Sequence, residues 1–176
     1  MDYDCTADIL EHKRKVEYWM RDFTALMTER AKNHDKSKLE SPEKEIFDQY
    51  TWRLKTTEFG SEEYKAQLTG MGEGLKHHYV ANRHHPEHFE NGVNGMTLYD
   101  LVEMFCDWLA AAQAQSKPID IEYLSKRFNL SDQLCSIILN TLRDVDFWNE
   151  VNGVPCTYFT PEDRRGGQVT AFASEA

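Results

Sequence analysis

Apolar residues recur at every third or fourth position through most of this chain, and two-residue alternation is nowhere sustained. That is the period of helices burying one stripe each, and it predicts an all-α protein. A first long helix is expected from about Ala7 to Arg30 on the spacing of Ile9, Val16, Trp19, Met20, Phe23 and Met27. Ser41-Pro42-Glu43 reads as a capping serine, a proline at the first helical position and an acid in the first turn, opening a second helix to about Thr57. Ser61-Glu62-Glu63 opens a third in the same way, running through Leu68, Met71 and Leu75 to about Arg83, with Gly70, Gly72 and Gly74 weakening its middle. The Gly- and Asn-rich stretch from Glu90 to Gly95 predicts a tight loop. Thr97 with Asp100 predicts a capped fourth helix to about Gln115, broken by Lys117-Pro118. Two more helices fit Ile121 to Phe128 and Ser131 to about Asn149. After Gly153 the prolines and glycines predict an irregular tail.

At 176 residues with 40% hydrophobic composition, the chain can bury one sizeable core and little more. A single compact bundle of six or more helices is therefore expected over residues 1–152, with 153–176 packed on it or trailing from it. Trp19, Trp52, Trp108 and Trp148 lie on or beside apolar faces and are expected in the core rather than as base-stacking platforms. No run approaches the ~20 apolar residues of a membrane span, and the N-terminus lacks the basic and apolar regions of a secretory signal. Four scattered cysteines without a C-x-x-C pair suit reduced thiols. The expected compartment is the cytoplasm, or the host cytoplasm if the gene is a phage's. A formal net charge of −10 argues against non-specific binding to a nucleic-acid backbone, which needs a basic footprint. A small phosphorylated ligand stays compatible, because a metal ion can supply local positive charge.

The histidines change this picture most. Five of the seven lie within the twelve residues from His77 to His88. On the third helix His78, Asn82 and His85 continue the apolar line of Leu68, Met71 and Leu75, whereas His77, His84 and His88 fall on a second line roughly a quarter turn away. Pro86 leaves the helical phase open beyond Arg83, so His84 and His85 can exchange places. On the first helix His12 falls within the apolar stripe, and the stripe extended through Met27 and Arg30 brings His34 to the same inward side. His34 is followed by Asp35, and imidazole nitrogen with carboxylate oxygen suits hard or borderline divalent metals. On the fourth helix Asp107 lies with Asp100 and Glu103 beside the core stripe of Leu101, Met104, Phe105 and Trp108.

His12, then His34-Asp35, then Asp107 on a later helix resembles the ligand order of the HD-domain superfamily of metal-dependent phosphohydrolases. Asp35-Lys36-Ser37-Lys38 looks like the HD-x-G-K variant of HD-GYP proteins, and His84-His85-Pro86-Glu87 before Asn91-Gly92 is similar to their HHE…DG stretch. From about residue 10 to residue 145 the chain is also similar to small HD-like proteins of uncharacterised function common in phages and bacteria. Two features depart from the pattern: Lys38 stands where many HD nucleotidases have an acid, and no Gly-Tyr-Pro follows Gly92.

The resemblance implies an HD-like helical domain in which His12, His34, Asp35 and Asp107 hold a divalent ion (Mn, Mg, Fe, Co or Zn), one ion rather than two. Lys38 would neutralise phosphate charge, and His78 and His85, with His84 as the alternate, would donate to phosphate or to the leaving oxygen. The implied activity is hydrolysis of a phosphate ester in a small nucleotide or nucleotide-like substrate. Two alternatives stand beside it: a di-iron oxygenase using His12, His34, Asp35, His78, His85 and Asp107, and a nucleotide-binding sponge that turns nothing over.

Overall fold

A computed structural model describes residues 3–58, 60–115 and 118–151, with the side chains of 115 and 146–151 left aside. Among the described residues there are seven α-helices and no strand, so the protein is all-α. The expected tail at 153–176 and Trp148 lie outside what is described. No described helix is long and apolar enough to cross a membrane. The chain divides into two units, Met1–Asn82 and Arg83–Ala176.

The first unit contains α1 (Thr6–Asn33), a 3-10 turn (Lys36–Leu39), α2 (Glu43–Thr56), α3 (Glu62–Gly70) and α4 (Gly72–Ala81). The expected single third helix is two helices, interrupted at Met71. The glycines explain why. A Cβ on Gly70 would lie 2.6 Å from Tyr50 Oη, and one on Gly74 would lie 2.8 Å from Ile46 Cγ2. Close approach to α2 requires glycine at Gly74, against the branch of Ile46, while at Gly70 a Cβ would have to displace the end of the Tyr50 ring; glycines in series also cost helix propensity, about 1 kcal/mol each relative to alanine. Ser61 does cap α3, its hydroxyl accepting from the Tyr64 amide. Ser41 does not cap α2. Pro42 occupies the cap position without a side-chain hydrogen bond, and the Lys44 amide is satisfied instead by the Glu40 carbonyl, delivered by the preceding 3-10 turn.

The second unit contains the 3-10 turns Pro86–His88 and Gly92–Gly95, α5 (Leu98–Gln115), α6 (Ile121–Phe128) and α7 (Asp132–Val151). Its core is Ile121, Leu130, Cys135, Ile138 and Leu142, with Phe105, Leu124 and Trp108 packed against them and Trp108 stacked on Phe128. Thr97 and Asp100 form the expected reciprocal cap: the Thr97 amide donates to Asp100 Oδ2 at 2.9 Å and the Asp100 amide donates to Thr97 Oγ1 at 3.2 Å. Asn129, in the left-handed region with φ 51°, ends α6 where asparagine is tolerated.

The expectation that fails most clearly is the burial of α1. The helix is there and longer than predicted, but it has no buried residue. Trp19 is 66% exposed, and on α2 Trp52 is 61% exposed. Periodicity defines a helix face without defining what covers it. His12 is exposed on this same helix. Since α1 is one continuous helix, His12 and His34 are separated by 22 residues, about 33 Å at ~1.5 Å per residue. The two histidines therefore cannot hold one ion within a chain, and the four-ligand set expected from the sequence loses His12.

Candidate metal centre

The candidate site of the first unit lies where α1 stops. Past Asn33 the backbone turns through His34 in an extended conformation and Asp35 in the left-handed one, φ 56° and ψ 18°. Aspartate accepts that conformation better than most L-residues, because its short side chain bonds locally. The Lys38 amide then donates to the Asp35 carbonyl at 2.9 Å and closes the 3-10 turn. The outcome is a sharp corner that brings the side chains of His34, Asp35 and Lys38 together.

The Asp35 carboxylate is the meeting point. His34 Nε2 lies 3.6 Å from Oδ2, His78 Nε2 lies 3.3 Å from Oδ1, and Lys38 Nζ donates to Oδ2 at 2.5 Å. Lys38 also lies over the Phe47 ring, 5.2 Å from its centroid. His78 reaches Asp35 from α4, on the line of Met71, Leu75 and Asn82 predicted by the spacing, and is 2% exposed. His77 falls on the other line, and its side chain is 46% exposed.

Behind His78 stands a residue that the sequence marks only as a first-turn acid. Glu43, the first residue of α2, is fully buried at 0% exposure. Its Oε2 lies 2.9 Å from His78 Nδ1 and accepts from Ser37 Oγ at 2.9 Å; its Oε1 lies 2.7 Å from His77 Nδ1. Burial pushes the Glu43 carboxyl up, but the hydrogen bonds from His77, Ser37 and His78 outweigh it and hold the group below its ordinary value. Its place at a helix N-terminus favours the same charge. Burial and the nearby Lys38 ammonium lower His78, against the opposing pull of Asp35 and Glu43, which favours the neutral imidazole that binds metals. The signals that could have found Glu43 were the His77-His78 pair and an acid opening a helix, but nothing in the sequence joined them across 34 residues.

Histidine and aspartate side chains cluster closely enough among the described residues to hold a metal ion. In the first unit Asp35 and His78 bring ligand atoms within 4.8 Å of one another. The donor chemistry fits: two ligands about 2.0–2.2 Å from one divalent ion lie roughly 3–3.5 Å apart, which brackets the 3.3 Å between His78 and Asp35. A carboxylate behind the histidine's second nitrogen is the usual support for a metal-bound imidazole.

The second unit carries the remaining expected residues. His84 is 2% exposed, its Nδ1 is 3.2 Å from Glu103 Oε1, and its ring lies 4.2 Å from that of His85. His84 has a ligand atom within 4.8 Å of one on His85 and of one on Asp107. The phase left open beyond Arg83 is decided by the backbone: α4 ends at Ala81 and Asn82 is extended, φ −117° and ψ 111°, so helical counting stops three residues before His84, which is the buried one of the exchangeable pair. Asp100 belongs to structure: at 0% exposure it accepts from Arg83 Nε at 3.2 Å and from Arg83 Nη2 at 3.0 Å as well as from Thr97.

Neither a curated protein nor a solved structure matches the chain. A family model does: with residues 1–144 matched, the chain belongs to the family of unknown function DUF5662.

Proposed function

We propose that this protein is a metal-dependent phosphohydrolase acting on a small nucleotide or nucleotide-like phosphate ester, related to the HD-domain superfamily, with His34, Asp35 and His78 as ligands of one divalent ion. The observation that carries the reading is the Asp35 carboxylate at a left-handed corner, flanked by His34 Nε2 at 3.6 Å and His78 Nε2 at 3.3 Å. Non-glycine residues held in such a conformation cluster at functional sites. His78 takes the place among the ligands that His12 cannot fill. A six-ligand di-iron centre loses His12 for the same reason.

A divalent ion bound there supplies an acidified water and polarises a phosphoryl oxygen. The side chains of this chain do the rest. Lys38, tethered at Asp35 and set over Phe47, offers an ammonium to the phosphate oxygens. The same reading assigns a cytoplasmic site of action.

The test is elemental analysis of protein purified without chelator, with phosphate release measured over a panel of nucleotides. Wild type should carry a divalent ion and release phosphate. Asp35→Ala should lose both, while Lys38→Ala should keep the ion and lose rate on the order of 10²-fold or more. Equal, near-zero metal in wild type and Asp35→Ala after metal-replete expression would sink the proposal.

A further inference from the structure

For the neutral imidazole the hydrogen atoms around His78 can be counted, and the count makes Nδ1 the donor. Asn82 Nδ2 has two hydrogens and two good acceptors, Ser37 Oγ at 2.8 Å and the His78 carbonyl at 2.8 Å. Its 3.0 Å approach to His78 Nδ1 is therefore not needed as a donation. Ser37, accepting from Asn82, has its own hydrogen directed to Glu43 Oε2 at 2.9 Å. Glu43, as a carboxylate, only accepts. His78 Nδ1, 2.9 Å from that same oxygen, must then be the donor, and so must His77 Nδ1 at 2.7 Å from Oε1. A neutral imidazole that donates from Nδ1 presents a lone pair at Nε2. In His78 that lone pair faces another acceptor, Asp35 Oδ1, at 3.3 Å. Two acceptors turned toward each other repel, and a cation between them converts the repulsion into two bonds.

We infer that Glu43 is a positioning residue: together with Ser37 and Asn82 it fixes His78 as the Nδ1–H tautomer, so that Nε2 and Asp35 Oδ1 form a seat for a divalent cation. Ser37 reaches His78 only through Glu43, and Asn82, although 3.0 Å from His78 Nδ1, has both its hydrogens engaged by Ser37 Oγ and the His78 carbonyl. The seat rests on the metal-binding reading above, whereas the tautomer stands without it. Histidine ligands are commonly held this way by an outer carboxylate, and loss of that support costs on the order of 10–100-fold in metal affinity.

Nitrogen-15 spectra of the imidazoles in metal-free protein at about pH 8, where an ordinary histidine is neutral, read the tautomer directly. His78 should carry its hydrogen on Nδ1 with Nε2 unprotonated. Titration with Mn²⁺ or Zn²⁺ should then show a graded loss of affinity from wild type to Glu43→Gln, which keeps one acceptor oxygen, to Glu43→Met, which keeps none and should weaken binding by about 10–100-fold. The Met variant should also lose the pure Nδ1–H signature while its helicity stays that of wild type. Should Glu43→Met not fold, the wild-type tautomer and the Gln variant decide. His78 protonated at Nε2 in the wild type overturns the inference, as does a folded Glu43→Met with unchanged tautomer and unchanged affinity. An Nδ1–H tautomer in a protein that takes up no divalent ion upholds the positioning role and sinks the metal-binding reading instead.

Discussion

Glu43 and Asp100 are both carboxylates at 0% exposure, and their surroundings give them different work. Asp100 faces partners that do not change state: the Arg83 guanidinium, bidentate at 3.2 and 3.0 Å, and the Thr97 amide and hydroxyl at 2.9 and 2.8 Å. Arginine stays protonated at any ordinary pH and a backbone amide has nowhere to send its hydrogen, so this cluster holds α5 in place. Glu43, like Asp100, accepts from one hydroxyl, but its other two partners are imidazoles, which can give up or shift a hydrogen, and the imidazole it orients touches Asp35. Burial of a charge is thus no guide to its role. What surrounds it decides, and fixed donors mark structure where titrating donors leading to a second carboxylate mark chemistry.

The largest effect expected from this contrast is on stability. Asp100→Ala removes a helix cap and leaves Arg83 without its carboxylate. Breaking a buried ion pair costs about 3–5 kcal/mol and losing a cap about 1 kcal/mol, but Arg83 is half exposed and water can take over part of its solvation. A net loss of roughly 2–4 kcal/mol is expected in denaturant unfolding. A loss below about 1 kcal/mol, the value of a surface pair, would mean that Asp100 does not hold α5 in place.

These two acids were unequally legible in the sequence. Thr97 and Asp100 are three residues apart, and a local rule predicts their reciprocal bonds. Glu43 is 34 and 35 residues from its histidines, and its role exists only once Gly70 and Gly74 let α3 and α4 approach Tyr50 and Ile46 of α2. The same divide runs through the rest of the molecule. Most helix positions were readable, because 3.6-residue periodicity and caps are local, and so was the inward line through Met71, His78 and Asn82. The break at Met71, the exposure of Trp19 and Trp52 and the burial of His84 were not readable, since each depends on what packs against the segment or on where a helix stops. The pairing of His12 with His34 failed for a related reason: a shared stripe gives the direction of two side chains and says nothing of the ~33 Å between them.

Acidification tests the Glu43 side of the contrast. Glu43 and His78 both sit below their ordinary values of 4.5 and 6.5 in the folded protein. In each case the unfolded chain takes up its proton at a higher pH than the folded one. Stability from both groups is therefore fully present above about pH 6.5, starts to fall there as unfolded His78 protonates, and falls further below about pH 4.5 as unfolded Glu43 does. The chain's net charge of −10 shrinks over the same range and relieves repulsion, which works the other way. The difference between wild type and Glu43→Met isolates the local part. Urea midpoints of metal-free protein should converge for the two as the pH drops below about 4.5, where unfolded Glu43 takes up its proton. Curves that stay parallel over that window would show that the carboxylate is not coupled to folding as described.

The smallest effect expected is at His77, and it bears on how far the chemistry around Glu43 extends. His77 and His78 are adjacent and both bond the same carboxylate, yet one side chain is 46% exposed and the other 2%. His77→Ala removes one of three donors to Glu43. The bond is made to a charged acceptor, a class worth about 1.5–3 kcal/mol when fully enclosed, but the side chain is half in water, and a solvent molecule can donate to Oε1 in its place. Ser37 and His78 still occupy Oε2, so the tautomer of His78 and its aim at Asp35 survive. The variant should unfold within about 1 kcal/mol of wild type and bind Mn²⁺ or Zn²⁺ within about threefold of it, while His78→Ala, losing a ligand outright, should lose the ion. Parallel calorimetric titrations of the two variants decide the point. Equal damage from both would mean that the outward line of α4 takes part in the site, and that Glu43 serves two working histidines instead of one.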